Sequence, residues 1–134
     1  MKAALPILGA LAMSACAMVP PPMLPPLVVD GGRSSATIGF GGRAQLNGIE
    51  IVPLRVVEDS RCPINARCVW AGRLVLETDV TLSSGSEQLR LNLELAKPVP
   101  VAGATLTLVD AQPGKLAGAE GNPPANRFTF EVTR

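Results

Sequence analysis

The side chains able to do covalent chemistry are few: three thiols, Cys16, Cys62 and Cys68, in a 134-residue chain with no histidine and no tyrosine. Without imidazole, Ser-His and Cys-His nucleophile systems lose their usual base. Two thiolates with no histidine also fall short of the four ligands of a structural zinc site. Glu58 and Asp59 are adjacent, and neighbours on a strand point to opposite faces, a poor arrangement for paired carboxylate chemistry. Glu77 and Asp79 share a face, but it is the polar face of a regular strand, where solvated charge is the ordinary occupant. Gly39-Phe40-Gly41-Gly42 lacks the Lys-Ser/Thr ending of a phosphate loop and reads as a turn. No catalytic residue, cofactor or metal is expected.

Arg55, Arg61, Arg67 and Arg73 recur every six residues and, against Glu58 and Asp59, leave this stretch with two excess positive charges. They could meet a phosphate or carboxylate. The preferred reading is solvated side chains in weak local ion pairs. The whole chain carries only +1. It has no basic field to hold nucleic acid or an anionic membrane surface.

Lys2 is the only charge in the first fifteen residues, and Ala3 to Met13 form an apolar stretch too short to cross a bilayer. Ser14 and Ala15 then place small residues directly before Cys16. The pattern resembles the lipobox of bacterial lipoproteins. That resemblance implies a signal peptide over residues 1–15, cleavage before Cys16, lipid (palmitate) on Cys16, and a membrane-held mature chain. Ala17 after the cysteine fits outer-membrane sorting, facing the periplasm. With Cys16 lipidated, Cys62 and Cys68 remain in an oxidising compartment, where a disulfide between them is expected. Two reduced thiols are the alternative.

Residues 17–26 hold five prolines, which forbid helix and central strand and favour an extended polyproline II tether. Such a tether would hold a domain about 30 Å from Cys16. Asp30–Ser35 reads as the loop that ends this segment, giving a tether over 16–35 and a folded domain over 36–134.

From Ala36 onward the signals are β. Leu74, Leu76, Thr78, Val80 and Leu82 alternate with Val75, Glu77, Asp79 and Thr81. After the turn Ser83-Ser84-Gly85-Ser86, Leu89, Leu91, Leu93 and Leu95 alternate with Gln88, Arg90, Asn92 and Glu94, which makes a hairpin. Leucine favours helix, but every-second spacing lines one face of a strand only. Further strands are expected over 43–46, 49–57, 104–109 and 127–133. Turn signals separate them at Asn47-Gly48, Lys97-Pro98, Gln112-Pro113-Gly114 and Gly121-Asn122-Pro123-Pro124. The pattern predicts an all-β fold, a small antiparallel β-sandwich of about six to seven strands.

Between two of these strands, Asp59-Ser60-Arg61-Cys62-Pro63, then Cys68, Trp70 and Gly72, form D-S-R-C-P-x-x-x-x-C-x-W-x-G. This signature resembles one in uncharacterised bacterial envelope lipoproteins, which supports fold and location and transfers no activity. The bland account is a stapled connection: Asp59 and Ser60 fix a turn, Gly72 allows close approach, and Trp70 is mostly buried on the disulfide or the end of the core. The sharper account is a rigid loop presenting Arg61, Arg67 and Trp70 to a partner. The chain therefore reads as a non-enzymatic, lipid-anchored envelope protein that binds or supports another envelope component. The alternative is an inhibitor of a periplasmic or host enzyme acting through the Cys62–Cys68 loop.

Overall fold

The computed structural model describes residues 29–30, 32–85, 87–118 and 124–134. The expected signal peptide, Cys16 and the proline-rich segment lie outside the described residues. Nine strands follow one another: β1 (Val29–Asp30), β2 (Arg33–Gly39), β3 (Ala44–Leu46), β4 (Ile49–Asp59), β5 (Leu74–Leu82), β6 (Gln88–Glu94), β7 (Pro98–Val101), β8 (Ala104–Gln112) and β9 (Arg127–Thr133). All pairings are antiparallel, in a five-stranded sheet ordered β1-β2-β9-β8-β7 and a four-stranded sheet ordered β3-β4-β5-β6.

The core lies where period-two alternation turns apolar side chains between the sheets. Leu74, Leu76 and Val80 of β5 face Phe128, Phe130 and Val132 of β9 and Leu106 and Leu108 of β8, all inaccessible to solvent. A bulge between Leu108 and Asp110 changes the parity of β8, so that Ala111 turns inward and Asp110 stays out. In β6 only Leu93 is fully buried, with Leu91 and Leu95 packed at the rim, because β6 is an edge strand.

The all-β antiparallel sandwich is as the alternation predicts, with nine strands in place of six to seven. Two of the additional strands, β1 and β2, take in Asp30 and Arg33–Ser35 of the segment expected as a loop. Asp30 ends β1, and Arg33, Ser34 and Ser35 pair with Thr133, Val132 and Glu131 of β9. The domain thus begins before Ala36, since the ladder to a strongly apolar partner outweighs the weak strand preference of Gly and Ser. The expected turn at Lys97-Pro98 also moves: Ala96 takes the left-handed conformation (φ 63°) and Pro98 already belongs to β7.

The two ends of the sandwich differ. At one end Asn47 Nδ2 donates to Gly32 O (2.9 Å) and Val132 O (3.1 Å), tying the β3–β4 turn to the other sheet. Ser83 N and Arg134 N close the same end through Gly48 O and Gly32 O. At the opposite end lie the last residues of β2, β4 and β8, the first of β5 and β9, and the connection 60–73. Phe40 packs edge-on against Phe128 there, ring centroids 5.0 Å apart.

Candidate functional site

The connection 60–73 begins as a continuation of the β4–β5 ladder. Ser60 N donates to Arg73 O (2.8 Å) and Cys62 N to Ala71 O (3.0 Å). Arg73 also pairs with Glu58 (2.6 Å), and its hydrogen bond holds the Glu58 carboxyl below its ordinary pKa. Gly72 permits this narrow base. Its φ is +68°, and a Cβ there would stand 1.8 Å from Ser60 O. Above the base, Cys62 and Cys68 form the expected disulfide, Cα atoms 5.9 Å apart. It closes a tip in which Ala66 N donates to Pro63 O (3.1 Å).

A second set of contacts fastens the loop to the other sheet. Arg61 Nε and Nη2 donate to the two carboxylate oxygens of Asp59 (2.8 and 2.9 Å). Its Nη1 reaches Ala111 O (2.7 Å) at the end of β8, and Nη2 reaches Pro113 O (3.2 Å). One guanidinium therefore joins β4 of one sheet to β8 of the other. Lys115 Nζ donates to Asp59 O and lies 3.8 Å from its carboxylate. Burial opposes the charge on Asp59, but hydrogen bonds and charge from Arg61, with Lys115 behind, outweigh it and hold the pKa below its ordinary value. Beyond this pin, Ile64 N donates to Lys115 O (2.9 Å), and Asn65 Nδ2 and Oδ1 exchange hydrogen bonds with Ala117 O and N (3.3 and 2.7 Å).

Two sequence expectations for this loop are corrected. Arg61, expected on display, has only 13% of its side chain exposed and is consumed by the pin. Trp70, expected to be mostly buried, is 82% exposed. The Ser60–Arg73 and Cys62–Ala71 rungs carry residues 63–70 past the last buried layer, so no core surface is left for the indole to cover. Arg67 is exposed, as expected, and makes no ion pair among the described residues. The other arginines of the six-residue series are engaged, Arg55 with Glu77 (2.8 Å) and Arg73 with Glu58. Glu77 and Asp79 share their face as expected, each held by an arginine, the second by Arg90 (2.8 Å).

Sequence reasoning gave no role to Ile64 and Val69, which are 76% and 92% exposed, or to Leu116, 44% exposed in the neighbouring segment. The signal was present: large apolar residues inside a disulfide-closed loop, outside any strand periodicity. Every other signature position has a task inside the fold. Asp59, Ser60, Arg61, both cysteines and Gly72 build and fasten the loop, whereas Trp70 stands out into solvent beside Val69. Such a tip can bury apolar area against a partner and offer the Arg67 guanidinium to a phosphate or carboxylate. In comparisons with protein-family models, curated proteins and solved structures, nothing matches the chain.

Proposed function

We propose that this chain is a non-enzymatic, lipid-anchored envelope protein in which loop 60–73 is the binding surface. One observation carries the reading: a loop fixed by a disulfide, two ladder rungs and the Arg61 pin ends in its most exposed apolar side chains, Val69 and Trp70. Large apolar side chains grouped in solvent mark interaction sites, and a loop already ordered loses little entropy on binding. The anchor rests on the lipobox-like run ending at Cys16.

Both halves are testable in a Gram-negative host. Labelled palmitate should enter the wild-type protein and not Cys16→Ser; labelling that persists in the variant overturns the anchor. A photo-crosslinking residue at Val69 should give adducts in intact cells, and one at Thr107, on the outer face of β8, should not. No adducts from position 69 overturns the loop as a binding surface. The inhibitor reading draws on Arg67, a cation within the disulfide-closed tip with no ion pair among the described residues, suited to an acidic enzyme pocket. It requires a single protein adduct and loss of that enzyme's activity.

A further inference from the structure

We infer that the tip of loop 60–73 seats in the headgroup region of a lipid bilayer, with Trp70, Val69 and Ile64 as its wedge. This names the partner of the binding surface proposed above and rests on that reading. The three side chains are each more than three-quarters exposed, and Leu116 lies on the segment hydrogen-bonded alongside. Tryptophan with aliphatic neighbours is the chemistry of the membrane interface, where an indole sits apolar face inward and N–H toward water. A bilayer asks for no shape match from side chains that project separately.

The charges around the tip agree. Residues 60–73 and 113–118 contain no carboxylate that headgroup phosphate would repel. Arg61, Arg73 and Lys115 are turned to Asp59 and Glu58, leaving Arg67 as the cation that meets a phosphate while its stem lies along the acyl boundary. The near-neutral chain supplies no long-range attraction, so the apolar wedge carries the binding. The backbone of the tip stays at headgroup depth, where water satisfies it.

The length of chain between Cys16 and the first described strand is compatible with this. β2 runs toward the loop end of the sandwich, and β1 pairs with it antiparallel, Val29 opposite Ser34. Val29 is level with a residue about 17 Å short of Gly39, and the thirteen residues from Cys16 to Val29 can span about 43 Å. A lipid on Cys16 and the loop tip can thus meet one bilayer face.

Trp70 is the only tryptophan, so its emission reports on the tip alone. The test uses the processed chain, residues 16–134, with Cys16→Ser, which retains every strand and removes the anchor. Adding phosphatidylcholine vesicles containing a minority of phosphatidylglycerol should shift its emission to the blue and shield it from acrylamide. Val69→Asp and Ile64→Asp should each lower vesicle partitioning about tenfold or more with unchanged circular dichroism. Arg67→Glu should lower it on the same vesicles. Emission unchanged at saturating lipid overturns the inference, and position-69 adducts to a protein would then leave the binding reading standing. A blue shift that needs only higher protein concentration overturns it in favour of a second copy of the chain.

Discussion

Replacing Gly72 by alanine tests the geometry of the loop base most directly. A non-glycine residue at φ +68° costs about 1–2 kcal/mol from the backbone alone. The new methyl also meets Ser60 O at 1.8 Å and Ser60 C at 2.6 Å. Both are backbone atoms, and Ser60 is held by its own rung to Arg73, so relief means opening the base. Losing the Ser60–Arg73 and Cys62–Ala71 bonds adds about 1–3 kcal/mol. Gly72→Ala should therefore destabilise the protein by about 2–5 kcal/mol, a large part of a typical domain's total. Two other glycines separate the contributions. Gly103 has φ +76° and Gly85 has no positive φ, and neither would place a Cβ within 4 Å of another atom. In urea unfolding, Gly85→Ala should be near neutral and Gly103→Ala should cost about 1–2 kcal/mol, backbone strain alone. A Gly72→Ala loss no larger than that of Gly103→Ala would refute the account of the loop base.

Arg61→Ala should cost about 2–4 kcal/mol in urea unfolding, because it strips Asp59 of its main partner and leaves two carbonyls unpaired; Arg61→Lys, which keeps the charge but not the fork, should recover less than half. Replacing Cys62 and Cys68 together by serine should cost about 2 kcal/mol by loop closure and speed amide exchange chiefly over residues 60–73. Acid should weaken the pin from a predictable side. The folded pKa of Asp59 lies below its unfolded value, so its contribution is complete above about pH 4 and is lost as pH falls through the lower folded value. Asp59→Asn should lower the neutral plateau by the amount that acid removes from the wild type, and so flatten the acid limb of the stability curve.

The strands with clean alternation were legible to the residue: Leu74–Leu82 and Arg127–Thr133 stand as the apolar spacing places them. β2 and β7 were not. Arg33–Gly39 is rich in small polar residues and becomes a strand through β9, and the prolines of Pro98–Val101 read as a turn until an edge position admits them. The disulfide followed from cysteine arithmetic. The fate of Arg61 could not, because its acceptors Ala111 and Pro113 are fifty residues away and become neighbours only when the sheets pack. Trp70 misleads for a related reason: residue type predicts burial, but the base of its loop directs it outward.

The edge strand β7 has a consequence for how densely this protein can be crowded. Pro98 and Pro100 occupy alternate positions along it, opposite Thr107 and Thr105, so neither offers an N–H along the outer margin of the five-stranded sheet. An incoming strand finds acceptors there but no row of donors to complete a ladder. On that side the sheet cannot serve as a template for its own copies. Copies at high concentration can therefore collide along this edge and separate again, without pairing their sheets there.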